Sequence, residues 1–198
     1  MAPSAKRAFQ PMRCFVAIEI NEAIRGQLAR VAEDVRRAAG LKGGDAKWVD
    51  PSLIHLTLKF LGEVRDAALP DVCGAIEGVA RHHGPFSLEV AGLGTFGSPA
   101  RIVWVGTEPR PELVRLQADV EQGLAELGFA AENRPFAGHL TLCRIRSRRG
   151  GHRLDEVVAD RPQPTLGTLD VEEICLFRSE LTKTGPIYTV LARYPLRG

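Results

Sequence analysis

The tetrapeptide His-Leu-Thr-Leu occurs twice in this chain of 198 residues, at positions 55–58 and 139–142. Each copy lies in a stretch, 53–61 and 137–145, whose residues predict a β-strand. Because side chains two apart on a strand point to the same face, each copy places an imidazole beside a hydroxyl: His55 with Thr57, and His139 with Thr141. Two histidines can divide proton transfer between a base and an acid, and hydroxyls can bind phosphate oxygens. The repeat therefore predicts two strands that face each other across a cleft and bind a phosphorylated ligand.

Three neighbouring residues are candidate substrate contacts. Strict alternation places Lys59 on the face of the first imidazole, where its ammonium would offset phosphate charge, and turns Phe60 towards the core. Arg144 directly follows the second copy, on the face opposite its imidazole, and reaches the cleft only if the strand bends or ends there. Phe136 is the aromatic residue that we expect to stack on a base.

Other chemistries compete with this interpretation. A single His-x-Thr is most simply the polar side of an amphipathic strand, and the repetition is what favours a site. Two histidines could also bind zinc, but zinc usually needs a third ligand, and no Asp, Glu or His lies four residues after either histidine. The sequence shows no strand-turn-helix nucleophile elbow. We therefore expect neither a metal nor a cofactor.

Composition limits the kinds of partner. The chain is 44% apolar and 25% charged, with a formal net charge of +2, as in an ordinary soluble globular protein. This charge is too balanced for a non-specific nucleic-acid binder, but it suits a small phosphorylated ligand or contact with a few nucleotides. Apart from Arg144, the basic cluster at 144–153 is expected to be solvated surface.

Cysteines and apolar runs indicate the compartment. The four cysteines form no Cys-x-x-Cys pair and are expected to be free thiols in a reducing compartment. Residues 1–13 lack the apolar core of a signal peptide, and no apolar run approaches the roughly 18 residues that cross a bilayer. We expect a cytoplasmic protein without membrane contact.

The order of elements indicates the fold class. Helices are predicted from Asn21 to Gly40, from about Pro70, from Pro111 to Gly128, and briefly at 154–159. Besides the two motif strands, strands are predicted at 14–20, 86–93, 101–105, 169–177 and 187–194. This order favours an α+β fold with mainly antiparallel sheets, in which two similar lobes face each other within one domain, 1–198.

With these motifs the chain resembles the 2H phosphoesterase superfamily, and within it the bacterial and archaeal RNA 2′,3′-cyclic phosphodiesterases, formerly called 2′-5′ RNA ligases. The likeness spans nearly the whole chain, and the ordered set of motifs is highly specific. Gly138 departs from the pattern, because relatives often carry proline there; a glycine is expected to loosen the entrance of the strand. The likeness rests on residues 12–18, 48–49, 55–62, 134–136, 139–144, 176–181 and 185–188.

The resemblance implies a two-lobed α+β fold with a pseudo-two-fold axis and a central groove lined by both motifs. It implies metal-independent hydrolysis of terminal RNA 2′,3′-cyclic phosphates to 2′-phosphomonoesters. In that reaction His55 would be the proton donor, His139 the acceptor, and Thr57 and Thr141 would hold the phosphate. Members can also join or cleave 2′-5′ RNA linkages without a nucleotide cofactor. The expected partner is an RNA with such an end or linkage, bound by a monomer.

Two alternatives to this function stay open. One is a module that binds nucleotides or RNA ends without turnover; two complete motifs argue against it, since binding alone needs no pair of titratable bases. The other is an enzyme that acts on a small cyclic nucleotide or on a different RNA junction.

Overall fold

Helices and strands alternate along the chain, and the computed structural model describes them for residues 12–183 and 185–198. Most of the segment that bears on a signal peptide, residues 1–11, lies outside the described residues. Within them the helices are α1 (Glu22–Ala39), α2 (Leu69–Arg81), α3 (Pro111–Ala125) and α4 (Arg148–Ala159). The strands are β1 (Met12–Ile18), β2 (Ala46–Trp48), β3 (Leu56–Val64), β4 (Phe86–Phe96), β5 (Ile102–Thr107), β6 (His139–Ile145), β7 (Thr165–Val171), β8 (Glu173–Leu181) and β9 (Pro186–Pro195).

None of the helices in the described part of the chain is long and apolar enough to cross a membrane.

The strands form two antiparallel sheets with matching orders. One sheet has the order β3-β1-β8-β9, and the other has the order β2-β6-β5-β4-β7. The strand with the first tetrapeptide pairs with β1, and the strand with the second pairs with β5. A helix connects the two strands of each pair, α1 in the first case and α3 in the second. This correspondence confirms the predicted α+β fold with two similar lobes.

The four-stranded sheet has a different role on each of its faces. Alternate residues of β1, such as Val16 and Ile18, belong to the main core, which extends through both sheets and all four helices. The residues between them face the other way, where Phe15 and Ala17 form a small separate cluster with Phe177. This second face is therefore a concave surface lined by aromatic rings, and the first motif lies beside it.

Sequence signals explain why α1 occupies its predicted position. The Asn21 side chain accepts the Ile24 N–H at 2.9 Å, and Gly40 ends the helix in the left-handed conformation with φ of 56°. Elsewhere tertiary context changed the boundaries. α4 begins at Arg148 instead of 154, because Ser147 caps it by accepting the Gly150 N–H at 3.0 Å. The predicted strand 169–177 is divided between two sheets, as β7 and β8.

Each motif strand carries a β-bulge at the same place. In the first pair Thr57 lies opposite Ala17 while Lys59 lies opposite Val16, so that Leu58 is the extra residue. In the second pair Thr141 and Cys143 lie opposite consecutive residues of β5, so that Leu142 is the extra residue. An extra residue shifts the alternation of every side chain that follows it. The last leucine of each tetrapeptide thus decides which of the next residues face the groove, and in β3 a second irregularity follows at Leu61.

The bulge in β3 overturns the predicted orientation of Lys59. Its side chain is only 4% exposed, and its ammonium forms an ion pair with Glu121 of α3 and donates to the Ala130 carbonyl at 2.8 Å. Glu121 also accepts the backbone N–H of Glu132 at 2.9 Å. Lys59 therefore joins the first motif strand to the segment that leads into the second, and it does not reach the cleft.

Breaking this ion pair should destabilise the fold. Lys59→Met leaves the half-buried carboxylate of Glu121 without its cation, and we expect a loss of about 3 kcal/mol in the free energy of unfolding, since removing one partner of a buried pair costs about 3–5 kcal/mol. Urea unfolding monitored by circular dichroism measures it. Arg81→Met, which breaks the exposed pair of Arg81 with Glu77, is the matched control and should cost less than about 1 kcal/mol. Equal losses in both variants would contradict the assigned role of Lys59.

Candidate active site

The two motifs meet at one cavity of about 480 Å³. His55 and Thr57 line it from the first motif, and Thr141 lines it from the second. His139 is not among the lining residues, but it lies two positions before Thr141 with no bulge between them, and so on the same face of β6. The other residues that line the cavity include Lys47, Trp48, Asp50, Ser52, Phe60, Arg144, Ile187 and Tyr188.

The backbone holds the first imidazole in a defined tautomer. His55 Nδ1 lies 2.8 Å from the carbonyl oxygen of Leu53, in the short 3₁₀ turn before β3. A carbonyl can only accept, so Nδ1 carries the hydrogen and Nε2 of the neutral ring is a free acceptor. The ring stacks on Phe15, with centroids 4.6 Å apart, and meets the edge of Tyr188 at 5.3 Å. These contacts fix the plane of the imidazole.

The second imidazole is held in the same way. His139 Nδ1 lies 2.8 Å from the carbonyl oxygen of Ala137, again two residues earlier in the chain. Phe96 meets this ring edge-on, with centroids 5.0 Å apart. Both motifs thus present an imidazole whose Nδ1 is engaged and whose Nε2 can take or give a proton.

Partial burial lowers the pKa of both imidazoles and so favours their neutral forms. It lowers the pKa of His55 from 6.5 to about 4, against the opposing effect of the Leu53 hydrogen bond, and the charge of Arg144 lowers it further. The pKa of His139 is also lowered, first by burial and then by Arg144 and Arg134, while the Ala137 hydrogen bond acts in the opposite direction. The charge of one guanidinium therefore lowers the pKa of both histidines.

Of the two cations predicted at the cavity, Arg144 lines it and Lys59 does not. The bulge at Leu142 turns Arg144 to the groove side of β6, where it lines the cavity although strict alternation pointed it away. Lys47 of β2 pairs across from Arg144 and lines the cavity as well. Lys59 is buried in its ion pair instead. No signal in the sequence pointed to Lys47, because β2 has only three residues and its strand character depends on pairing with β6.

The aromatic residues at the cavity also differ from those predicted. Phe136 packs against the main core and does not line the cavity. Phe60, expected to point inward, is 65% exposed and lines the cavity together with Tyr188. In the matched strand pairs Phe60 corresponds to Arg144, since each lies two residues after its bulge. An aromatic ring and a guanidinium thus occupy equivalent places on the two sides of the groove.

Gly138 has a local packing reason. A Cβ at this position would lie 2.3 Å from the Thr107 hydroxyl oxygen and 3.1 Å from a methyl group of Leu113. The Gly138 carbonyl accepts the Thr107 N–H at 3.1 Å. Any side chain here would require Thr107 to move. The glycine lets the segment before His139 pack closely on β5.

Potential metal ligands gather away from the histidines. In the described residues, Glu19, Glu173 and Cys175 bring three ligand atoms together, and neither motif histidine belongs to this group. Arg193 forms ion pairs with both of these carboxylates. The cavity contains the Asp50 carboxylate, which accepts from Ser52, but its other polar groups include the threonine hydroxyls and the cations Lys47 and Arg144, which suit an anion.

Comparisons with known proteins identify the family of this chain. Two consecutive segments, residues 18–104 and 105–188, each match the family described as LigT like Phosphoesterase. The RNA 2′,3′-cyclic phosphodiesterase of Methanothermobacter thermautotrophicus is 32% identical over 180 residues, which cover 90% of this chain and 95% of the relative. The crystal structure of TT0787 of Thermus thermophilus has a TM-score of 0.78 and 32% identity, covering 94% of this chain and 99% of that one. The crystal structure of E. coli LigT complexed with 3′-AMP has a TM-score of 0.78 and 26% identity, covering 96% of this chain and 100% of that one.

The chain therefore belongs to the LigT-like phosphoesterase family. Each of the two matched segments contains one tetrapeptide, and their boundary falls inside β5. The two tetrapeptides therefore belong to two copies of the unit that the family description covers, one in each segment. The similar strand orders of the two sheets agree with this.

The buried His55 should make the folded protein less stable in acid. Its pKa is about 4 when folded and about 6.5 when unfolded, so the unfolded chain takes up a proton more readily between these values. One pKa unit corresponds to 1.36 kcal/mol, so lowering the pH from 6.5 to 4 should reduce the free energy of unfolding of the parent protein by about 3 kcal/mol through His55. The His55→Gln variant should not show this loss. Urea unfolding at several pH values measures the difference. His152→Gln, at an exposed histidine of α4, is the control and should follow the parent curve. A His55→Gln variant with the parent's pH dependence would contradict the burial argument.

Proposed function

We propose that this protein hydrolyses terminal RNA 2′,3′-cyclic phosphates to 2′-phosphomonoesters, with His55 and His139 transferring the protons. The observation that carries the proposal is the matched pair of 2.8 Å contacts from Nδ1 to a backbone carbonyl, which leaves Nε2 available on both rings. The names of the curated relatives and the 3′-AMP complex of E. coli LigT support the substrate class.

The proposed reaction follows from the chemistry of a strained cyclic diester. His139 Nε2 takes a proton from water as the water oxygen attacks phosphorus. The bond from phosphorus to the 3′ oxygen breaks, and protonated His55 gives its proton to that oxygen, which leaves a 3′-hydroxyl and a 2′-phosphomonoester. The same path, with the 5′-hydroxyl of an RNA end in place of water as the nucleophile, breaks the same bond to the 3′ oxygen and forms a 2′-5′ linkage.

The surroundings of the imidazoles fit an anionic transition state. Thr57 and Thr141 line the cavity from opposite strands and can donate to the non-bridging oxygens, and Arg144 and Lys47 supply positive charge. In the free protein burial keeps His55 neutral by lowering its pKa. The negative charge of a bound phosphodiester favours the protonated imidazole, so substrate binding itself prepares the acid.

Activity on a defined RNA end tests the function. An oligonucleotide with a 2′,3′-cyclic phosphate, incubated with the protein in excess EDTA, should be converted to the 2′-phosphomonoester, because histidines perform the proton transfers. Phosphorus NMR identifies the product isomer. If the protein binds this oligonucleotide tightly but does not convert it, the alternative of a module that only binds RNA ends would be favoured. Loss of activity in EDTA with recovery on adding zinc would favour metal chemistry.

Substrates with different leaving groups separate the two histidines. His55→Ala and His139→Ala should each lose about 10²–10⁴ in kcat, the range for one positioned acid or base. An ester with a nitrophenolate leaving group needs no protonation, so it should restore turnover in His55→Ala and not in His139→Ala. His152→Ala is the control and should match the parent protein on both substrates. Rescue of His139→Ala alone would reverse the assignment of donor and acceptor.

The pH dependence tests the influence of Arg144. The profile of kcat/KM reports the free enzyme, and it should be a bell whose two apparent pKa values both lie below about 6.5, the value of a solvated histidine. Because Arg144 lowers the pKa of both histidines, Arg144→Gln should move both limbs to higher pH. Arg146→Gln, an equal change of charge two residues further on, should move neither. Unchanged limbs in Arg144→Gln would show that its guanidinium does not act on the two imidazoles.

A further inference from the structure

A second cavity, of about 350 Å³, adjoins the first along the concave face of the four-stranded sheet. The two cavities share Phe60 and Tyr188, so that these rings stand between them. The proposed reaction leaves the second cavity without a role. Its remaining lining residues are Arg13, Cys14, Phe15, Gly62, Glu63 and Ser179.

Aromatic rings connect the second cavity to the proton-transfer site. Phe15 lines the second cavity and stacks under His55, with centroids 4.6 Å apart. The same ring lies 5.9 Å from Phe60 and 5.0 Å from Tyr188. A ligand whose phosphate reaches His55 can therefore continue directly over these rings into the second cavity.

The exposure of Phe60 indicates what the second cavity binds. Its side chain is 65% exposed although it lies in the middle of β3, and an aromatic ring so exposed between two cavities offers a flat face for stacking. A nucleobase suits such a face, because every base has a π surface and stacking tolerates differences in sequence.

The polar residues of the second cavity suit the backbone of the same ligand. Arg13 is the basic residue of its lining, and Ser179 lies directly across from it in the β1–β8 pair. Glu63 lies across from Arg13 on the other side, in the β1–β3 pair. A phosphodiester can take a charge-assisted contact from Arg13 and a hydrogen bond from Ser179, while Glu63 repels it.

We infer that the second cavity binds the nucleotide that precedes the one carrying the cyclic phosphate. The base of that nucleotide stacks on Phe60, and the phosphodiester that joins it to the terminal nucleotide contacts Arg13 and Ser179. This inference rests on the proposed function and deepens it, since it makes an RNA end, rather than a free cyclic mononucleotide, the preferred substrate.

A comparison of two substrates tests the inference. The readout is the ratio of kcat/KM for a dinucleotide with a 2′,3′-cyclic phosphate to kcat/KM for the cyclic mononucleotide, a ratio that does not depend on the fraction of folded enzyme. In Phe60→Leu this ratio should fall about 5- to 150-fold, the range for stacking of one base. In Arg13→Gln it should fall less, and the fall should shrink with added salt. In Glu63→Gln it should rise, because a repulsive charge is removed.

A dinucleotide without its penultimate base isolates the stacking contact. For the parent protein this abasic substrate should lose about the same factor that Phe60→Leu loses on the complete dinucleotide, and Phe60→Leu should then cause no further loss. Arg30→Gln, at an exposed arginine of α1, removes the same charge as Arg13→Gln at a distant place and should leave the ratio unchanged.

The possible outcomes distinguish failure of the second subsite from failure of the proposed hydrolytic function. A ratio near one in the parent protein, or an unchanged ratio in Phe60→Leu and Arg13→Gln, would overturn the second subsite while the hydrolytic function stands. An equal effect of Phe60→Leu on the complete and the abasic dinucleotide would assign Phe60 to the terminal nucleotide only, and would also overturn the inference. Failure to hydrolyse either substrate would overturn the proposed function and the subsite together.

Discussion

An extra residue directly after each motif threonine, Leu58 in β3 and Leu142 in β6, determines which side chains surround the two imidazoles. Up to the threonine, His-Leu-Thr alternates regularly, with the hydroxyl towards the groove and the leucine in the core. The bulges at Leu58 and Leu142 then shift the alternation by one. As a result Phe60 and Arg144 face the groove, and Lys59 turns into the protein. The shift therefore gives the groove the aromatic ring of Phe60 and the charge of Arg144, and it directs Lys59 to its ion pair with α3.

The partly buried imidazoles connect stability to the proposed chemistry. Packing against Phe15 and Phe96 and a hydrogen bond from Nδ1 fix each ring, but the same burial disfavours its charged form. A site that must hold one imidazolium therefore depends on the charge of its ligand. In the proposed reaction a phosphodiester supplies that charge, while in the free protein Arg144 lowers the pKa of both histidines and so favours their neutral forms.

The network around Lys59 explains how two sheets present their motifs to one cavity. Lys59 forms an ion pair with Glu121 and donates to the Ala130 carbonyl. Glu121 in turn accepts the backbone N–H of Glu132, seven residues before His139. The carbonyl of Leu58, the bulged residue, accepts from Gln117 of the same helix at 3.4 Å. The first motif strand, α3 and the approach to the second motif are thus linked by polar contacts as well as by the common core.

The sequence by itself determined the two His-x-Thr pairs, the class of the fold, the limits of α1 and the start of α3, because each follows from short-range rules: alternation, helical periodicity and capping at Asn21 and Gly40. Tertiary structure decided the places of Lys59, Phe60, Phe136 and Arg144. A bulge arises from pairing with β1 or β5, and the hydrophobic pattern of the strand alone does not reveal it. Pairing across sheets likewise brought Lys47 to the cavity and divided β7 from β8. Local sequence set what each motif contains, and long-range pairing set what lies around it.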